Sequence, residues 1–317
     1  MRRGALIGFG EVAQHGHLPA YDESSEAKIV AVVDPAEGRR GLATVASFAS
    51  VDDLAAAGLE IDFVDICTPP AFHGPPMLQA LRHGWDVLCE KPLLLDLREL
   101  GEVREAAQES GCAIVPVHNW KYAPIVRRAT ELLREGTIGQ LHEVEIETLR
   151  VQDCAVADPS RPSWRRDAMI AGGGILMDHG WHVIYLAEHW FGEEAIEMRA
   201  TLRRPSPQDV EDEAEMTLIF PSGSANVFLT WRAERRGNAM RLIGDRGQIV
   251  IDDDVLKNGT EAIPFQSALS AGSHHADWFE AMLPDVLEKF REPAKARASF
   301  EEAARCLQLI RAAYERA

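Results

Sequence analysis

Short apolar runs alternate with amphipathic stretches through the first third of the chain. Residues 5–7 form one such run and lead into a glycine-rich turn. Residues 28–33 (KIVAVV), 63–67 (FVDIC), 87–89 and 112–117 are further runs of strand length. Between them, residues 35–45, 72–83 and 96–110 carry helical spacing. Asp96 suits an N-cap, and Gly111 suits a helix stop. Strands alternating with helices predict a parallel sheet covered on both faces.

The pattern changes after about residue 118. Residues 123–135 read as a helix ending at Gly136, and residues 141–150 (LHEVEIETLR) alternate with period two. Residues 213–220, 224–231, 239–243 and 248–251 are four strand-like runs separated by turns such as Pro221-Ser222-Gly223. Residues 277–291 and 300–316 close the chain as helices. The expected architecture is α/β: a doubly wound Rossmann sheet over residues 1–118, then an α+β domain with a mostly antiparallel open sheet over residues 119–317.

Composition narrows the class. The chain has 317 residues, 46% of them apolar, with a formal net charge of −17. That charge opposes nucleic acid or an anionic membrane as the main partner. No apolar run reaches spanning length. Met1-Arg2-Arg3 before a short apolar run only faintly resembles a secretion signal. The five cysteines (Cys67, Cys89, Cys112, Cys154, Cys306) are odd in number and lack a CxxC pair, so they read as reduced thiols of a cytoplasmic protein.

Gly8-Phe9-Gly10-Glu11-Val12-Ala13 fits G-x-G-x-x-A directly after a strand. Gly8 would allow a tight turn, Gly10 a close approach of backbone N–H groups to a pyrophosphate, and Ala13 tight helix–strand packing. Asp34 ends the second strand, where a carboxylate accepts from ribose hydroxyls and repels a 2′-phosphate. Arg39 and Arg40 would reverse that preference if they fold back, so NAD is expected and NADP stays open. Thr68-Pro69-Pro70 bends the chain at the carboxyl edge of the sheet. His73 beyond it either touches cofactor or caps and packs. Glu90-Lys91-Pro92 stands at another strand end, where Lys91 would stabilise charge on a substrate oxygen.

Ala171-Gly172-Gly173-Gly174 precedes a helix-like run carrying Asp178, His182 and Tyr185, which share one face at α-helical spacing. The triplet would let backbone pass close to a ligand. His182 suits a general base near neutral pH. No spacing resembles a zinc site, so no metal is expected.

GFGEVA, TPPAFH, CEKPL and AGGGILMDHGWH, in this order and spacing, resemble the Gfo/Idh/MocA oxidoreductases. The resemblance extends through Trp164-Arg165 and the late PSGSANVFLTW…GDRGQIVIDDD pattern. It implies an NAD(P)-dependent enzyme that transfers a hydride between nicotinamide and a secondary alcohol or ketone of a sugar, sugar derivative or cyclitol. It matches Lys91 to the lysine of the family's EKP motif, and Asp178 and His182 to its catalytic pair. Glu90, Trp164 and Arg165 join the cofactor site by the same resemblance. Lys121 stands where relatives often carry arginine and is expected at the substrate; Tyr185 stands where many carry aspartate and either donates to a sugar hydroxyl at the substrate or packs the helix. Trp120 either walls the nicotinamide pocket or packs. The open sheet implies a homodimer or homotetramer. Two alternatives remain: a hydrolase or lyase that oxidises a sugar transiently with held NAD, and a dinucleotide-binding sensor without turnover.

Overall fold

The apolar runs of the first third are buried on both sides, which suits inner strands of a parallel sheet. In the computed structural model, which describes residues 1–153, 163–272 and 274–316, these runs become β1 (Arg2–Ile7), β2 (Ala27–Val33), β4 (Phe63–Ile66), β5 (Asp86–Cys89) and β6 (Ile114–Pro116). A short edge strand, β3 (Ala46–Phe48), completes the sheet. The order is β3-β2-β1-β4-β5-β6, with every pair parallel. This is the doubly wound Rossmann order, and its switch point lies between β1 and β4. Gly8 and Cys67 follow directly at those two carboxyl ends.

Two local expectations fail here. The helix expected over residues 35–45 is one turn, Glu37–Arg40; it carries Gly38 within it and stops at Gly41, and two glycines this close disfavour a longer helix. The edge strand β3 has only half-buried and exposed residues, so it left no apolar signal. The helix Leu97–Ser110 matches its caps. Asp96 Oδ1 accepts the N–H groups of Arg98 and Glu99, and Gly111 ends the helix with φ 72°.

The second sheet holds β7 (Leu141–Leu149), β8 (Glu197–Arg203), β9 (Glu213–Phe220), β10 (Gly223–Thr230), β11 (Gly237–Gly244), β12 (Gly247–Asp252), β13 (Val255–Asn258) and β14 (Glu261–Pro264). Its order is β14-β13-β12-β11-β7-β10-β9-β8. Only β7 and β10 pair in parallel, so the sheet is mostly antiparallel as expected. The strands β8, β13 and β14 escaped the sequence pattern because they carry few buried residues. The helix Trp181–Phe191 buries nearly its whole circumference, which explains why its sequence lacks a polar face.

The chain divides into two units. Met1–Asn119 with His274–Leu307 forms one, and Trp120–Ser273 with Gln308–Ala317 forms the other. The helix Ala276–Arg291 belongs to the first unit, where Phe279 stacks on His17 at 3.8 Å.

Candidate active site

At the carboxyl end of β1, Gly8 takes φ +87°, and a side chain there would crowd Thr68. Gly10 differs: nothing lies within 4 Å of the position its Cβ would occupy. That open backbone fits a ligand phosphate approaching the start of the helical run at Glu11 and Val12. A π-helical turn, Ala13–His17, interrupts the run before Leu18–Glu23.

Asp34 is 1% exposed. Its Oδ2 accepts the Phe9 N–H at 2.9 Å, and its Oδ1 accepts the Ala36 N–H at 2.9 Å. The carboxylate therefore also fastens the glycine turn to the end of β2, a role the sequence did not disclose. Both arginines beyond it fold back. Arg39 Nη1 lies 3.5 Å from Asp34 Oδ2, and Arg40 Nη1 donates to the carbonyls of Asp34 and Pro35.

Thr68 and Pro69 lead into a short turn, Pro70–Phe72, with the Thr68 hydroxyl donating to the Phe72 carbonyl. His73 is fully buried. Its Nε2 sits 2.7 Å from the Thr68 carbonyl, and its Nδ1 sits 3.0 Å from that of Pro92. It thus links the TPP segment to the EKP segment. Burial, outweighing these hydrogen bonds, lowers its pKa. The Lys91–Pro92 peptide is cis. Glu90 turns inward: Oε2 accepts the Lys91 N–H, and Oε1 lies 3.1 Å from His17 Nε2.

In the second unit, the glycine triplet answers to crowding by the chain itself. Gly172 takes φ 80° and caps Ala168–Ala171. A Cβ on Gly173 would overlap the Tyr314 hydroxyl, and one on Gly174 would overlap the Glu211 carbonyl oxygen. Glu211 is 1% exposed, and its Oε1 accepts the N–H groups of Gly174 and Leu176 and the hydroxyl of Tyr314. Burial raises its pKa against those hydrogen bonds.

Asp178 lies in a π-helical turn, Leu176–Gly180, so uniform α-helical spacing does not describe its relation to His182. Its Oδ2 is 3.3 Å from His179 Nδ1 and 3.7 Å from Arg165 Nε. Arg165 sits in the turn Trp164–Arg166, with its guanidinium 4.4 Å from the Trp164 ring centroid. His182 stacks on Trp120, centroids 4.6 Å apart and planes 11° from parallel. Its Nδ1 is 2.8 Å from the hydroxyl of Tyr185, which also accepts the Trp120 N–H at 3.1 Å. Lys121 Nζ stands 5.3 Å from the Tyr185 ring centroid. Tyr185 and Trp120 therefore fix the imidazole plane from two directions.

Cys67, Cys89, Cys112 and Cys306 form no disulfide among the described residues; Cys154 lies outside them. No helix among the described residues is long and apolar enough to cross a membrane.

Comparison with known proteins bears on the fold and the family. The oxidoreductase family with an NAD-binding Rossmann fold matches residues 2–118, and the GFO/IDH/MocA C-terminal domain matches residues 126–250. Oxidoreductase P35 of Formosa agariphila is 28% identical over 77% of this chain and 77% of its own. D-glucoside 3-dehydrogenase of Escherichia coli is 30% identical over 61% of this chain and 55% of its own. The structure of GenD2, from gentamicin A biosynthesis in complex with NAD, superposes with a TM-score of 0.83 at 25% identity, covering 99% of this chain and 93% of that one. With an NAD-binding Rossmann sheet in one unit and the matching C-terminal domain in the other, the chain belongs to the Gfo/Idh/MocA family of NAD-dependent oxidoreductases.

Proposed function

We propose that the protein interconverts a secondary alcohol and a ketone on a sugar, sugar derivative or cyclitol, with His182 as the general base. The observation that carries this reading is the imidazole held flat on Trp120 and hydrogen-bonded to Tyr185 at 2.8 Å. A ring fixed at Nδ1 presents Nε2 for proton transfer. In oxidation, His182 takes the hydroxyl proton while the carbon gives up its hydride; in reduction, it returns the proton. Lys91 stabilises negative charge on the reacting oxygen. Asp178 and Lys121 bind the neighbouring hydroxyls, and Tyr185 steadies the base. The bound nicotinamide supplies the hydride acceptor or donor.

Backbone groups of Gly8, Phe9, Gly10, Glu11 and Val12 hold the pyrophosphate, Asp34 the ribose, and Thr68, Pro69, Glu90, Trp164 and Arg165 the remaining cofactor contacts, while the buried His73 braces the turn behind them. Arg39 and Arg40, folded back toward Asp34, support use of NADP beside NAD. The sugar assignment leans on the D-glucoside 3-dehydrogenase relative. We place the enzyme in the cytoplasm as a homodimer or homotetramer.

The test is a panel of sugars, glycosides and polyols with NAD and NADP, followed at the nicotinamide absorbance. The expected result is steady reduced-nicotinamide formation with at least one sugar. Lys91→Ala and His182→Ala should each lower turnover by about a hundredfold or more while cofactor still binds. Product release without net NADH would favour the transient-oxidation alternative, and undiminished hydride transfer in both variants would overturn the assignment.

A further inference from the structure

Beneath the Glu90-Lys91-Pro92 turn, the first unit buries a charged cluster of which the proposed chemistry uses only Glu90. His17 ends the π-helical turn and is 2% exposed. Its Nδ1 lies 2.9 Å from Asp65 Oδ2, and its Nε2 lies 3.1 Å from Glu90 Oε1. Ionised carboxylates only accept hydrogen bonds, so a ring facing one at each nitrogen is best satisfied as imidazolium. Burial alone would lower the His17 pKa, but the charge and hydrogen bond of Asp65 lead the effects that overrule it and raise the value well above the ordinary one. Burial likewise pushes Glu90 up; His17 and Lys91 outweigh it and leave the carboxyl below its usual range.

The other neighbours complete the cage. The Tyr21 hydroxyl donates to Asp65 Oδ2 at 3.0 Å, and Cys67 Sγ sits 3.3 Å from His17 Nδ1. Burial beside Asp65 pushes the Cys67 thiol up to about 12, so it stays protonated. The helix Ala276–Arg291 lays the Phe279 ring against the imidazole face. A buried ion cluster is weak as a stabilising device, because desolvation offsets most of its attraction. What it provides is geometry. One oxygen of Glu90 is held by His17, and the other accepts the N–H of Lys91 at 2.9 Å.

We propose that His17 is a positioning residue for Lys91: held between Asp65 and Glu90, it fixes the Glu90 carboxylate, which fixes the backbone from which the Lys91 side chain departs. The proposal rests on the role given to Lys91 above. Asp65 and Tyr21 anchor the far side of the ring. No atom of His17 needs to touch cofactor or substrate.

The test is a double-mutant cycle with His17→Gln, Lys91→Ala and the double variant, on whichever sugar the panel selects. His17→Gln should lower kcat on the order of tenfold, with NAD affinity changed less than about threefold. In the Lys91→Ala background the same change should cost nothing further, because the group it positions is gone. Equal losses in both backgrounds would overturn the proposal and leave the Lys91 role intact. Full turnover by Lys91→Ala would overturn both. Should His17→Gln fail to fold, Glu90→Gln runs the same cycle. A second readout needs no substrate: the rate at which trinitrobenzenesulfonate labels Lys91, followed by peptide mapping, should change in Glu90→Gln, and an unchanged rate counts against the link. Stoichiometric zinc in the purified protein would also overturn it, since the donor atoms of His17, Asp65 and Cys67 lie within 4.8 Å of one another.

Discussion

If His182 is the general base proposed above, Tyr185 sets how it takes a proton. Its hydroxyl accepts the Trp120 N–H, leaving one lone pair and one hydrogen for His182 Nδ1. A neutral phenol can accept from Nδ1–H when Nε2 serves as base. Tyr185→Phe removes this contact while keeping the buried ring. The hydroxyl's two hydrogen bonds, to the Trp120 N–H and to His182 Nδ1, then disappear; losing the one at the base should lower kcat about tenfold with KM for the sugar little changed. Steady-state kinetics beside a thermal melt would check this; a rise in KM with constant kcat would show that Tyr185 binds substrate instead. From the sequence, Tyr185 was visible as a position on the helix face. Its partner Trp120 was not, because a contact spanning 65 positions leaves no local pattern.

Two glycine motifs, both legible in the sequence, serve different ends at the level of elements. The G-x-G-x-x-A turn leaves Gly10 facing open space, whereas the GGG segment before the Asp178 turn is crowded by Tyr314 and Glu211. Local pattern reveals that backbone must come close to something. It does not say whether the something is a ligand or another strand of the same chain. The regular elements were readable wherever period and caps coincided, as in the helix Leu97–Ser110 and the strand Glu213–Phe220. The Glu211 contacts, reaching 37 positions to Gly174 and 103 to Tyr314, were not. Nor did any local feature announce the π turns that hold His17 and Asp178. The contrast gives a paired prediction. Gly174→Ala would drive a methyl into the Glu211 carbonyl, backbone that cannot rotate away, and should destabilise by about 2–3 kcal/mol. Gly10→Ala should leave the melting temperature unchanged and weaken NAD binding at least tenfold, because its methyl would stand where the phosphates approach. Thermal melts and nucleotide titrations of the two variants should therefore move opposite quantities; a Gly10→Ala protein that binds NAD normally would remove the turn from the cofactor site.

For the whole molecule, the open question is what covers the second sheet. One face turns Val144, Ile146, Met216, Leu218, Val227 and Leu229 into the core. The opposite face stays half-buried or exposed along its length. Eight strands at ~4.8 Å spacing make it roughly 34 Å wide, ample for the ~800 Å² per partner that a stable pair needs. Its surface is mixed in sign: Glu145, Glu147 and Glu215 alternate with Arg199, Arg241 and Lys257 around Phe228, Ala239 and Val250. A two-fold axis through such a face can set acids over bases while closing the apolar centre. The formal charge of −17 per chain opposes any such pairing at long range, and salt screens that repulsion within ~8 Å at physiological strength. Association should therefore hold or strengthen as salt rises from low to physiological concentration. Light scattering should give a mass of two or four chains, and Phe228→Asp, which buries a charge at the centre of the face, should give one. A monomeric wild-type protein at micromolar concentration and physiological salt would overturn this assembly. Loss of the assembly with activity retained in Phe228→Asp would show that each chain holds a complete catalytic set.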